Sequence, residues 1–266
     1  MAILVSRTSE PSKTMECKLN RGASPRTAER PKYTEKKSRL RGGKKSKLLA
    51  KRIRAQPMSS NVVKQFYMDG SQGPLETELH AGHAHTPLLV MCHPHPLYGG
   101  SMRDAVLQTA ADCAERLGFG WLRFNFRGVG GSAGAHLPNT NPPTETEDLT
   151  AAVDWLGRNA SERPLIALGY SFGASVVCHS AKHIQVQRQI LVAPPNAVAY
   201  CPIETSTSPL DIIYGSADDY VDPTAFAALS QASTHELPDT DHFFSGKHHL
   251  LAATLTHILT LAAPAN

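Results

Sequence analysis

Pro164-Leu165-Ile166-Ala167-Leu168-Gly169-Tyr170-Ser171-Phe172-Gly173-Ala174-Ser175-Val176-Val177 sets a serine between two glycines, after an apolar run and before a run of small residues. That order predicts strand, sharp turn, helix, the setting in which a G-x-S-x-G turn holds its serine out as a nucleophile. Glycine is required where the chain doubles back so closely that a Cβ has no room. The Ser171 hydroxyl is then expected at the carboxyl edge of a sheet and at the amino end of a helix. Five residues are a weak signal alone, so their weight depends on what the rest of the chain supplies.

Outward from the turn, strand-like and helix-like patterns alternate. Val62 to Tyr67 and Leu75 to His80 read as a hairpin joined through Asp69-Gly70-Ser71-Gln72-Gly73. Leu88 to Cys92 is a continuous apolar run, as in a strand buried on both faces. Asp104 to Leu117 has helical spacing and stops at Gly118, and Gly120 to Phe126 is again strand-like. Thr144-Glu145-Thr146-Glu147 has the capping-box pattern and opens a helix with Leu149, Val153 and Leu156 on one face. Gln189 to Val192, Leu210 to Tyr214 and Thr234 to Leu237 read as strands, Thr224 to Leu229 as a helix, and Lys247 to Leu261 as the last helix. Such alternation predicts an α/β fold with a mostly parallel sheet of seven to eight strands and helices on both faces.

Charge divides the chain. Residues 1–56 carry 17 Lys and Arg against 4 Asp and Glu, whereas residues 57–266 carry 10 against 19 and all 13 histidines. The first part has few large apolar residues and no periodicity, so residues 1–57 are expected to be a disordered basic extension and 58–266 the folded domain. A basic arm of this kind is the only segment suited to nucleic acid, through phosphate contacts. No stretch approaches the roughly 18 apolar residues of a membrane span. Cys17, Cys92, Cys113, Cys178 and Cys201 are odd in number, scattered and without a C-x-x-C pair, which points to a reduced, cytoplasmic setting.

A serine hydroxyl is a weak nucleophile and needs a neighbouring base that a third group orients. Asp218 lies in the turn after the strand-like Leu210 to Tyr214, and His242 lies in Pro238 to Phe244, between a strand and the last helix. Parallel strands bring their carboxyl ends to one edge, so both can reach Ser171. Asp219 and Asp222 are rivals for the acid, and Asp218 is preferred because it follows the strand most closely. An anion developing on a substrate carbonyl needs two N–H donors. Phe172 is the first. The second is sought in His93-Pro94-His95-Pro96-Leu97-Tyr98-Gly99-Gly100, where proline has no N–H, so His95 is first choice and Leu97 second.

Two competing chemistries are weaker. His93 and His95, with His80, His83 or His85, are possible metal ligands, but nothing in their spacing makes three or four converge. Arg127-Gly128-Val129-Gly130-Gly131-Ser132-Ala133-Gly134 follows a strand but lacks the G-x-G-x-x-G spacing of a nucleotide loop. It reads as a tight turn near the active edge, with Arg127 structural. No metal and no cofactor is expected.

The strings HPHPLYGG (93–100), RFNFRGVG (123–130), GYSFG (169–173), the Gly215 to Asp218 turn and DHFF (241–244) resemble the serine α/β-hydrolase superfamily. The likeness is to its small bacterial members related to dienelactone hydrolases and short-chain esterases, and spans nearly everything after Met58. It implies an eight-stranded-type sheet, a Ser171, Asp218, His242 triad and an oxyanion hole from Phe172 and the His93 loop. The short span between Val192 and Asp218 leaves no room for a lid domain. Dienelactone hydrolases use cysteine, so Ser171 argues against that activity. The implied function is hydrolysis of carboxylic esters, thioesters or small amides through an acyl-enzyme on Ser171, with a small-molecule acyl substrate. The alternatives are a hydrolase-fold interaction protein using its basic tail on nucleic acid, and an acyltransferase. Neither the physiological substrate nor the oligomeric state can be read from the sequence.

Overall fold

Residues 62–160, 162–203 and 208–263 are described by the structure, a computed structural model. The expected basic extension, residues 1–57, lies outside the described residues. The chain begins with a hairpin of β1 (Lys64–Gly70) and β2 (Gly73–His80), paired antiparallel. Only Ser71 and Gln72 separate the strands, a tighter connection than the Asp69 to Gly73 loop expected from sequence. It is tight because Gly73 takes a φ of 114°, open to glycine alone.

Then follow β3 (Leu88–Cys92), α1 (Ala105–Arg116), β4 (Gly120–Phe124), α2 (Thr146–Asn159), β5 (Leu165–Tyr170) and α3 (Phe172–Ser180). The chain continues through β6 (Arg188–Val192), β7 (Leu210–Gly215), β8 (Ala232–Leu237) and α4 (His248–Ala262). The eight strands form one sheet in the order β1-β2-β4-β3-β5-β6-β7-β8. β2 joins β4 antiparallel, and every pairing from β4 to β8 is parallel. β3, β4, β5 and β7 are buried along their whole length, which is why they are largely apolar, Arg123 of β4 and Asp211 of β7 being their only charged residues. α1 and α4 pack together, as do α2 and α3, so the two pairs cover opposite faces. Strand order reverses at β3, which has β4 on one side and β5 on the other; a crevice opens at such a point beyond the carboxyl ends of the strands.

Local expectations fail in two places. Thr224 to Leu229 is not an α-helix: Pro223–Phe226 forms one short 3-10 turn, capped by Asp222, which accepts the Thr224 N–H at 3.0 Å. The expected capping box at Thr144 does not form either. α2 starts at Thr146, and the Glu147 carboxylate that would close the box is held instead by Ser71 at 2.6 Å and Arg127 at 3.0 Å. α1 is capped by a side chain, Asp104 accepting the Val106 N–H at 2.8 Å.

The turn after β4 is held from beneath by a buried ion pair. The Arg127 side chain (3% exposed) donates to Asp148 of α2 (0% exposed) from Nη2 at 2.7 Å and from Nε at 3.1 Å. The Arg127 backbone N–H also donates to Asp148, at 2.9 Å. Arg127 further reaches Glu147 and Ser71, tying the first hairpin to α2. Removing one partner of a buried pair strands the other charge and costs about 3–5 kcal/mol. Asp148→Asn, which keeps shape and loses charge, is therefore expected to lower unfolding free energy by about 3 kcal/mol in urea denaturation. A loss under about 0.5 kcal/mol, typical of surface substitutions, would refute the structural role of Arg127.

Candidate active site

Ser171 sits between β5 and α3 with φ 53° and ψ −118°, a conformation rarely adopted by a side chain other than glycine. Its strain is over-determined by what surrounds it. A Cβ on Gly169 would run into the carbonyl of Gly173, and one on Gly173 into the carbonyl of Cys92 at the end of β3. The Ser171 N–H donates to the Val192 carbonyl of β6 at 2.9 Å, and the Ser171 carbonyl accepts from Ala174 at 2.8 Å. The turn is thus clamped to three strands, and its side chain is the part left free.

His242 arrives from the loop after β8, with Nε2 at 2.9 Å from Ser171 Oγ. Its Nδ1 lies 2.8 Å and 3.0 Å from the two carboxylate oxygens of Asp218, in the turn after β7. A carboxylate only accepts, so Nδ1 carries the proton and Nε2 is left to accept from the serine. Asp218 also accepts the Tyr220 N–H at 2.9 Å, and the Tyr220 ring stacks 4.6 Å from the imidazole. Below, the Tyr170 hydroxyl donates to the His242 carbonyl at 3.1 Å. Burial, with Asp104, Asp218 and Asp241 nearby, pushes the Tyr170 phenol up, so it stays a donor at all ordinary pH. Burial also separates Asp218 from its rivals: Asp219 is exposed and Asp222 is used as a cap.

The loop after β3 faces the amino end of α3. The His95 ring lies 4.9 Å from the Phe172 ring. The Leu97 N–H is taken, donating to His95 Nδ1 at 3.2 Å. Among the described residues the N–H groups of His95 and Phe172 have no hydrogen-bond partner and stay open. Burial, then His136, holds the His95 imidazole below its usual range, so it is neutral at pH 7.

Sequence reading missed His136. It donates from Nδ1 to the wholly buried Glu145 at 2.7 Å, while its ring meets His95 edge-on at 5.0 Å and Phe172 at 5.7 Å. Glu145 is an inner position of the Thr144 to Glu147 capping pattern, and nothing in the order of residues pointed to the pair.

The histidines weighed as metal ligands scatter. His93 turns inward, its Nε2 accepting the Phe126 N–H at 3.0 Å and its Nδ1 donating to the Pro94 carbonyl at 2.7 Å. His80 lies against Trp121, and His83 packs by Gly118. Among the described residues no three His, Cys, Asp or Glu side chains converge as a metal site would require. No helix among them is long and apolar enough to cross a membrane. A cleft of about 1040 Å³ lies along α2 at the amino end of β5, lined by Asp154, Arg158, Arg163 and His183, and does not reach Ser171.

The fold agrees with known proteins. The family model for serine aminopeptidase, S33, matches residues 99–206. A Xanthomonas campestris crystal structure, described as an α/β serine hydrolase without lid, is 31% identical, covering 79% of this chain and all of its own, with TM-score 0.70. An α/β serine hydrolase homologue from Coxiella burnetii is 32% identical, covering 74% of this chain and 97% of its own, with TM-score 0.65. An uncharacterized Rickettsia prowazekii protein is 32% identical over 207 residues, 69% of this chain and 83% of that one. The chain belongs to the serine α/β-hydrolase superfamily. Its sheet, helices and kinship are those of the members without a lid.

His93 gives the loop a pH dependence with a definite sign. Burial holds its imidazole down at about 4, against an ordinary value near 6.5. As pH falls below 6.5 the unfolded chain takes up a proton that the folded chain refuses until about pH 4. Stability is expected to drop across that window by about 3 kcal/mol, at 1.36 kcal/mol per pH unit. Urea unfolding between pH 7 and pH 4 should show the slope, and His93→Gln should flatten it. Protonation of His93 near pH 6.5 in the folded protein, followed by NMR, would overturn the assignment.

Proposed function

We propose that the protein hydrolyses carboxylic esters through an acyl-enzyme on Ser171. One observation carries the reading: His242 bridges Ser171 Oγ, at 2.9 Å from Nε2, and the Asp218 carboxylate, at 2.8 Å from Nδ1. In the reaction, Ser171 Oγ attacks the acyl carbon as its proton passes to Nε2. Asp218 holds Nδ1–H and offsets the charge of the imidazolium. The oxygen that becomes anionic is met by the N–H groups of Phe172 and His95. Collapse expels the alcohol, which takes the proton from Nε2. Water, deprotonated by the same nitrogen, then attacks the acyl-serine and releases the acid.

The choice of esters over other acyl compounds follows from the likeness to short-chain esterases and from the open approach to the serine. Tyr98 and Phe243 stand exposed beside it, on the loops after β3 and β8. A small-molecule acyl substrate fits such a mouth. The family model that matches residues 99–206 is a peptidase model, so small amides are the second reading. That matched stretch includes Ser171 and ends before Asp218 and His242.

The test compares p-nitrophenyl acetate and butyrate with an amino-acid p-nitroanilide. Ester turnover is expected to exceed anilide turnover, with Ser171→Ala lowering kcat by at least about 10³-fold and Asp218→Asn by about 10⁴-fold. A fluorophosphonate should add once to the wild type, at Ser171, and not to Ser171→Ala. Equal ester hydrolysis by wild type and Ser171→Ala would refute the proposal.

A further inference from the structure

Two cysteines far apart in the chain meet inside the fold, away from the reaction just described. Cys178 lies in the last turn of α3, and Cys201 on the connection that leaves β6. The Cys201 thiol points at Cys178 Sγ with 2.9 Å between the sulfurs. A disulfide has its sulfurs about 2.05 Å apart, so bonding needs an approach of less than about 1 Å. The next residues on each side also touch: the His179 and Tyr200 rings meet edge-on at 5.7 Å. Helix and connection are therefore already joined where the sulfurs face each other.

The other described cysteines have no such arrangement. Cys92 is enclosed in β3, where burial pushes its thiol far up and denies it the thiolate form. Cys113 Sγ lies between Arg116 Nη2 at 3.0 Å and the Ala252 carbonyl at 3.5 Å. The two paired thiols differ in access, Cys201 being 8% exposed and Cys178 2%. Cys201 follows the exposed Tyr200, on the solvent side of the pair.

We propose that Cys178 and Cys201 are an oxidisable pair, closed to an intramolecular disulfide by a small disulfide such as oxidised glutathione. The Cys201 thiolate attacks one sulfur of the reagent, forming a mixed disulfide and releasing one thiol. Cys178 then gives up its proton and attacks Cys201 Sγ, and the second thiol leaves. Two cysteine thiols are oxidised and one small disulfide is reduced to two thiols. The product ties α3, which begins at the reactive serine, to the segment running from β6 toward β7.

The full-length protein, folded and incubated with oxidised glutathione, is then unfolded, its thiols are counted, and its proteolytic peptides are mapped by mass spectrometry. The five thiols should fall to three, with a Cys178 peptide joined to a Cys201 peptide and two hydrogens lost. Cys178→Ser should stop at the mixed disulfide and carry glutathione on Cys201. Cys201→Ser should take up no glutathione at Cys178 in the same time. Five thiols surviving in the wild type, or a bond from either residue to another cysteine or another chain, would overturn the proposal. The wild-type peptide map decides the pairing even if a variant fails to fold.

Discussion

At the start of α3 the backbone of the helix lies against the carbonyl of Cys92, and at the end of β5 the backbone of Gly169 lies against the carbonyl of Gly173. No side chain fits at either position, so the ends of β3 and β5 and the first turn of α3 behave as one clamped unit. Everything at the site follows from that closeness. It forces Ser171 to a φ of 53°, turning Oγ outward, and it brings the Phe172 N–H to the loop that carries His95. Donors fixed in this way need no reorganisation when charge develops, which is where most of such a site's electrostatic benefit lies.

The second half of the site uses the same device. A Cβ on Gly215, at the end of β7, would run into the Thr240 carbonyl, so the Asp218 turn and the His242 loop are pressed together. Hydrogen bonds complete the join: Ala217 donates to Thr240 at 3.0 Å, Ser216 to Leu237 at 2.9 Å, and Asp239 to Ser216 Oγ at 2.9 Å. The acid and the histidine thus move as one piece. Tyr170 links that piece to the serine side, because it ends β5 and bonds the His242 carbonyl. An imidazole held from below by Tyr170, from behind by Asp218 and on its face by Tyr220 has one nitrogen free to meet the serine.

Much of this was legible because it is local. Ser171 and its glycines are close in sequence, and Asp218 closely follows the buried strand β7, with His242 in the loop between β8 and the last helix. The parallel sheet was legible for the same reason, since β3 and β5 carry no charged residue and β7 only Asp211. What could not be read depends on which way a side chain turns. His93 and His95 look alike two residues apart, yet one is locked inward on Phe126 and the other faces Phe172. Glu145 lies between the two residues of a capping-box pattern, yet its carboxylate turns inward to His136. Order favours Asp218 over Asp219 and Asp222, but its burial and the capping role of Asp222 appear only in the fold. Cys178 and Cys201 become neighbours only because β6 lies next to β5 in the sheet.

The absence of a lid changes where selectivity must reside. Where a cap closes over the serine, a ligand is bounded on all sides and shape decides what enters. Here Leu97, Tyr98, Val198, Tyr220 and Phe243 are exposed on four loops that leave β3, β6, β7 and β8. Large apolar side chains left in water on loops around one crevice favour an apolar partner over a charged one, through contact area that any flat hydrocarbon surface satisfies. Such a rim distinguishes ligands weakly, since one methylene is worth only about 1 kcal/mol. For the proposed ester hydrolysis the rigid groups beneath it are demanding instead: the open N–H groups of Phe172 and His95 and the His242 nitrogen would fix where a carbonyl oxygen and a leaving group stand. On the ester-hydrolase reading, discrimination among substrates then falls mainly on the geometry and reactivity of the acyl group, and only secondarily on the size of what is attached to it.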